Sequence, residues 1–149
     1  MARVRTSPRA GAISPVALTL VVAGGAVGVA ARSLIVVPLT GAAHPLVVPA
    51  VTLGVNLLGS LLLGLIVGWL DDRHPRARLF LGTGVMGGFT TYSAFAVQSV
   101  TTATASPYVG LALIAVSVFG GVLAAALGLA LGRRLVGRPG EIEPPEDAE

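Results

Sequence analysis

The sequence predicts an all-α integral membrane protein of four transmembrane helices, the third of them broken. Hydrophobic residues make up 54% of the 149-residue chain and charged residues only 11%, against about 25% charged in an ordinary soluble domain. Four apolar runs are each long enough to cross a bilayer core, which takes about 20 helical residues. The third run contains GGFTTYSAF at 87–95, and two glycines, two threonines and a serine make a poor uninterrupted helix.

The elements follow in order. A basic tail, 1–14, carries Arg3, Arg5 and Arg9. The first span, 15–37, imitates a secretory signal but exceeds a signal core in length and lacks a clean small-x-small cleavage site before a soluble region. The second span covers 46–70, the third 79–100 and the fourth 107–131. Short connections with breakers separate them, so the transmembrane domain runs from 15 to 131. The segment 132–149 reads as a basic then acidic disordered tail, ending in the Pro- and Glu-rich GRPGEIEPPEDAE.

Charge placement sets the expected orientation. The chain has no lysine and no cysteine, so every basic side chain besides histidine is an arginine and disulfides are excluded. Three arginines precede span one, three lie at 73, 76 and 78, and three follow span four at 133, 134 and 138. The opposite loops hold none. Positive loops stay cytoplasmic, so both termini are expected inside a bacterial plasma membrane. Short arginine clusters without interleaved aromatic residues do not suit nucleic acid.

Several function classes fall away. No Ser, His and acid converge on a hydrolytic triad, and His44 and His74 occupy loops on opposite sides, so no catalytic residue and no enzyme is expected. No Asp or Glu lies inside a span, which argues against a proton-coupled small-solute or multidrug antiporter. A non-conducting membrane scaffold stays open.

The polar residues inside the spans carry the remaining information. Small residues recur at four-residue spacing at Gly24 and Gly28, at Ser60, Gly64 and Gly68, and at Gly128 and Gly132, a pattern that lets helix backbones touch. Thr52, Asn56 and Ser60 form a polar stripe on the second span. Two readings stand for Asn56: an interhelical hydrogen bond, or a pore lining whose amide N–H groups donate to an anion. The third span is either kinked for packing or broken along a cavity, where freed carbonyls hold a cation. The second alternative makes Gly87 need glycine's freedom and leaves Gly128 as ordinary packing. Arg32, the one charge inside a span, lies near the outer end of span one, where it can snorkel to the headgroups.

Three segments together resemble the Fluc (CrcB) family of fluoride channels: GGAVGVAAR at 24–32, TLGVNLLGS at 52–60 and GGFTTYSAF at 87–95. Their order, spacing and placement on spans one to three agree with that family. The resemblance implies a passive channel that exports fluoride, built from two subunits packed antiparallel in the lipid. It implies Asn56 as the pore asparagine and Phe95 with Tyr92 as an aromatic box. Thr91 and Ser93 share that motif, Ser117 continues the polar track, and Arg32 matches the family's arginine. It further implies a structural sodium ion at the dimer interface, held by the backbone carbonyls of Gly87 and Thr90. Tyr92, Ala94, Gln98 and Leu113 depart from the family's usual residues. Together with the one-sided arginines, they favour an antiparallel heterodimer with a paralogue over a homodimer, this chain then conducting or serving as a non-conducting partner.

Overall fold

The computed structural model describes residues 14–70 and 74–137, and no strand occurs among the described residues. The segments 1–13, 71–73 and 138–149 lie outside them, and with these the expectations for both tail ends and for Arg73.

Proline marks three helix starts. Pro15, Pro75 and Pro107 each stand in the first turn of a helix, where the missing N–H has no helical partner to lose. Helix α1 covers Pro15–Val36 and tightens into a 3-10 turn at Val37–Leu39. Helix α2 covers Val47–Leu70. Helix α6 covers Pro107–Leu135, four residues beyond the expected end of span four, because Gly132 still packs on the α2 backbone beside Leu65 and Trp69.

The third run differs from a single helix over 79–100. It comprises α3 (Pro75–Arg78), a π-helical stretch (Leu79–Met86), the short α4 (Gly87–Phe89) and α5 (Tyr92–Ala105). Between α4 and α5, Thr90 (φ −80°, ψ 158°) and Thr91 (φ −145°, ψ 118°) are extended. Among the described residues, three helices are therefore long and apolar enough to cross a membrane: Pro15–Leu39, Val47–Leu70 and Pro107–Leu135. The interruption falls on the threonines, not on the glycine pair. Gly87 keeps helical angles, φ −63° and ψ −36°. Two adjacent β-branched residues favour extended backbone, and Thr91 then caps α5 by accepting the Ala94 N–H on its hydroxyl at 3.3 Å.

Glycine, not large side chains, builds the interior. α1 packs against the π-helical stretch and α4, and α2 packs against α6. A Cβ at Gly24 would stand 2.9 Å from the Gly84 Cα, and one at Gly28 would stand 2.7 Å from the Phe89 nitrogen. In lipid no hydrophobic force draws helices together, so such close backbone contact does. Val55, Leu70, Met86 and Phe89 are buried, but many of the large apolar side chains face outward: Leu34 is 79% and Phe119 71% exposed. That surface belongs in lipid or against a partner, and the chain is a helical membrane protein.

The two ends of the bundle differ in charge. Arg76 and Arg78 of α3 and Arg133 and Arg134 of α6 flank one end, where Trp69, His74 and Leu135 border a cavity of about 540 Å³. At the other end His44, Thr101 and Ser106 border one of about 430 Å³.

Candidate functional site

Asn56 on α2 reaches the interruption across 35 positions of sequence. Its Nδ2 donates to the Thr91 carbonyl at 3.1 Å, and its Oδ1 accepts the Thr91 N–H at 2.9 Å. The interhelical bond that was one of two readings for Asn56 is thus present. It uses one of the two N–H groups on the amide nitrogen.

This exchange changes the helical bookkeeping around it. In an uninterrupted α-helix the Thr91 N–H would bond to the Gly87 carbonyl, and the Ala94 N–H to that of Thr90. Here the first goes to Asn56 and the second to the Thr91 hydroxyl. The carbonyls of Gly87 and Thr90 therefore both lose their helical donors. Thr90 itself stays anchored, because its N–H and its hydroxyl each donate to the Met86 carbonyl at 3.0 Å. Freed carbonyl oxygens suit a sodium-like cation. No group of three His, Cys, Asp or Glu side chains converges among the described residues.

A cavity of about 350 Å³ gathers most of the expected residues: Asn56, Thr91, Tyr92, Phe95 and Ser117, together with Gly87 and Thr90. The Tyr92 and Phe95 ring centroids are 6.2 Å apart and tilted by 53°, within the range of edge-inclined aromatic pairs. Tyr92 is 81% exposed, so its ring projects away from this subunit.

A second cavity, of about 190 Å³, is lined by Arg32, Thr52, Ala94 and Gln98, and again by Thr91. The polar stripe is thus divided: Thr52 borders the smaller cavity, Asn56 and Ser60 the larger. Arg32 is half-buried, and its Nε is buried without a hydrogen-bond partner. Ser93 borders neither cavity; it is exposed, with its hydroxyl 3.4 Å from that of Thr91. Leu113 is half-buried on α6 and also borders neither.

Sequence reasoning missed Gly59. A Cβ there would strike the Thr90 methyl group and stand 3.3 Å from the Phe89 ring, so its bare backbone makes room for the extended segment. The signal was available: Gly59 stands three residues after Asn56, on the same helix face. The comparison between Gly87 and Gly128 is reversed within the subunit. A Cβ on Gly87 meets nothing within 4 Å, whereas one on Gly128 would run into the Leu61 carbonyl. Gly87 is helical and open, so it needs neither a special conformation nor the space.

The family described as CrcB-like protein, Camphor Resistance (CrcB) matches residues 19–129. The chain belongs to the CrcB family. A relative from Hyphomonas neptunium named Fluoride-specific ion channel FluC is 43% identical over 122 residues, covering 78% of this chain and 94% of the relative. One from Corynebacterium jeikeium named Fluoride-specific ion channel FluC 2 is 42% identical over 142 residues, 83% of this chain and 82% of the relative. A third, Fluoride-specific ion channel FluC from a Ruegeria species, is 39% identical over 109 residues, 72% of this chain and 86% of the relative. The CrcB match takes in all three sequence segments that carry the site, and leaves both tails outside.

Proposed function

We propose that this chain is a subunit of a passive fluoride-selective channel exporting fluoride from the cytoplasm, and not an enzyme. The observation that carries the reading is the cavity lined by Asn56, Thr91 and Ser117 together with Tyr92 and Phe95. Fluoride is small and strongly hydrated, so its water must be replaced by fixed donors. Amides and hydroxyls supply such donors, and aromatic rings offer positive edges. The names of the relatives point the same way.

On this reading the run from Pro75 to Ala105 is the fourth crossing, interrupted at membrane depth where it lines a cavity. The subunit pairs antiparallel with a second one across the exposed Tyr92 face. Two carbonyls, those of Gly87 and Thr90, are few for a cation, and a second subunit doubles them around a structural sodium ion. Arg32 adds positive field on the anion path, and Ser93 takes its place beside Thr91 in the paired assembly. Both termini face the cytoplasm of a bacterial plasma membrane. The arginine bias favours a paralogue as partner, and the name FluC 2 of the Corynebacterium jeikeium relative is in keeping with that.

The test is efflux from loaded liposomes, with this chain alone and with a neighbouring paralogue. Fluoride is expected to leave while chloride is retained in at least one assembly. Chloride flux equal to fluoride flux overturns the reading.

A further inference from the structure

We infer that Asn56 is a positioning residue: its amide stands in for a helical turn and holds Thr90–Thr91 open, whatever contact it also makes with the anion. The inference rests on the channel reading for its link to transport, but the clamp itself is a property of this chain. Both polar ends of the amide are committed to the backbone of one residue, the N–H and the carbonyl of Thr91.

The alternative state is near at hand. Without Asn56, the Thr91 N–H finds its next acceptor four residues back, at the Gly87 carbonyl, which is where an α-helix would send it. Losing the clamp therefore leaves the segment passing between an open state, in which the Thr91 N–H has no protein partner and exchanges with solvent, and a closed one in which α4 runs on into α5. Closure withdraws the Gly87 carbonyl from any cation. It also moves the Thr90 methyl off the bare backbone of Gly59, against which it now rests. Gly59 and Asn56 thus act together on one face of α2: one provides the space, the other the bonds.

The clamp and the anion contact are chemically separable. A protonated carboxylic acid offers one acceptor and one O–H donor, enough to reproduce both bonds to Thr91 but with no N–H to spare. An ionised carboxylate keeps the acceptor, loses the donor, and faces the Thr91 carbonyl with like charge. Asn56→Asp therefore keeps the bond from the Thr91 N–H in either protonation state and loses the bond to the Thr91 carbonyl once ionised.

The experiment measures hydrogen exchange at the Thr91 amide in the full chain in vesicles, corrected for intrinsic pH dependence, alongside fluoride flux at neutral pH. Asn56→Ala is expected to lower Thr91 protection by about tenfold or more, the equivalent of one good hydrogen bond. Asn56→Asp, whose carboxyl still accepts from the Thr91 N–H, is expected to keep most of that protection at neutral pH. Both variants are expected to lose about tenfold or more of the flux at neutral pH. If Asn56→Ala fails to assemble, the near-isosteric Asn56→Leu, with neither donor nor acceptor, takes its place. Unchanged protection in the apolar variant, or protection lost equally in Asn56→Asp, overturns the clamp. Lost protection with full flux overturns its link to the pore. Absence of fluoride flux in the unmodified protein would instead defeat the channel reading and leave the exchange result standing.

Discussion

Gly128 of α6 lies against Leu61 of α2 so closely that a Cβ on the glycine would collide with the leucine's carbonyl oxygen and stand 2.9 Å from the Leu65 nitrogen. The contact is reciprocal. A Cβ on Gly64 would meet the Ala125 carbonyl and stand 2.9 Å from the Leu129 nitrogen. Two helix backbones touch here along a glycine track that continues to Gly68 and Gly132. Gly87, at the cavity, has no such neighbour within the subunit.

Replacing Gly128 by valine is therefore expected to destabilise the subunit by about 1–3 kcal/mol or more, the cost of overpacking a tight contact. Gly87→Ala is expected to stay within about 0.5 kcal/mol of the unmodified subunit, as open-surface changes do. Thermal unfolding in detergent, followed by loss of the monodisperse species, measures both. Equal losses would show that the contact between α2 and α6 is looser than the structure has it.

The fold was legible in the sequence to the depth that local pattern reaches. Long apolar runs marked α1, α2 and α6, and small residues four apart marked the faces that touch. The interruption was read into the right motif, spread over its glycines, threonines and serine, and the structure narrows it to Thr90 and Thr91. Glycine at 87–88 advertises flexibility, yet the helix ends at Phe89 because the Thr91 N–H has an acceptor in Asn56. That acceptor is 35 residues away in sequence, so no local window contains it. Gly59 escaped notice for the same reason, since its role is defined by the Thr90 methyl across the helix interface. Asn56, Tyr92 and Phe95, taken from compact motifs, line one cavity in the structure. Ser93 belongs to the same motif but faces away from the cavity, a distinction that motif spacing does not make.

The two faces of that motif lead to a second prediction. Phe95 borders the larger cavity and pairs with Tyr92, whereas Ser93 is exposed and borders neither cavity. Phe95→Ala is expected to cut fluoride flux by about tenfold, the upper end of what one aromatic edge contact contributes. Ser93→Ala is expected to remain within about twofold, the worth of a weak exposed hydrogen bond. Liposome efflux at matched protein density measures both. A larger loss at Ser93 would place that hydroxyl on the anion path through the paired assembly.

The last prediction concerns how the chain enters the membrane. Arg76 and Arg78 stand in α3 at the start of the interrupted run, and Arg133 and Arg134 close α6 at the same end of the bundle. The connections at the opposite end, bordered by His44, Thr101 and Ser106, carry no arginine, Arg32 standing within the last turns of α1. Each arginine near a span end tends to stay cytoplasmic, so this distribution should fix one orientation, with both termini inside. An antiparallel homodimer needs the same chain to insert both ways, which a one-sided distribution opposes. A partner with the reverse bias would satisfy antiparallel pairing without that conflict. Reporter tags on each terminus in living cells measure the outcome, and a single inside signal from both is expected. A mixture of inside and outside signals would mean dual insertion, and would return the assembly to a homodimer.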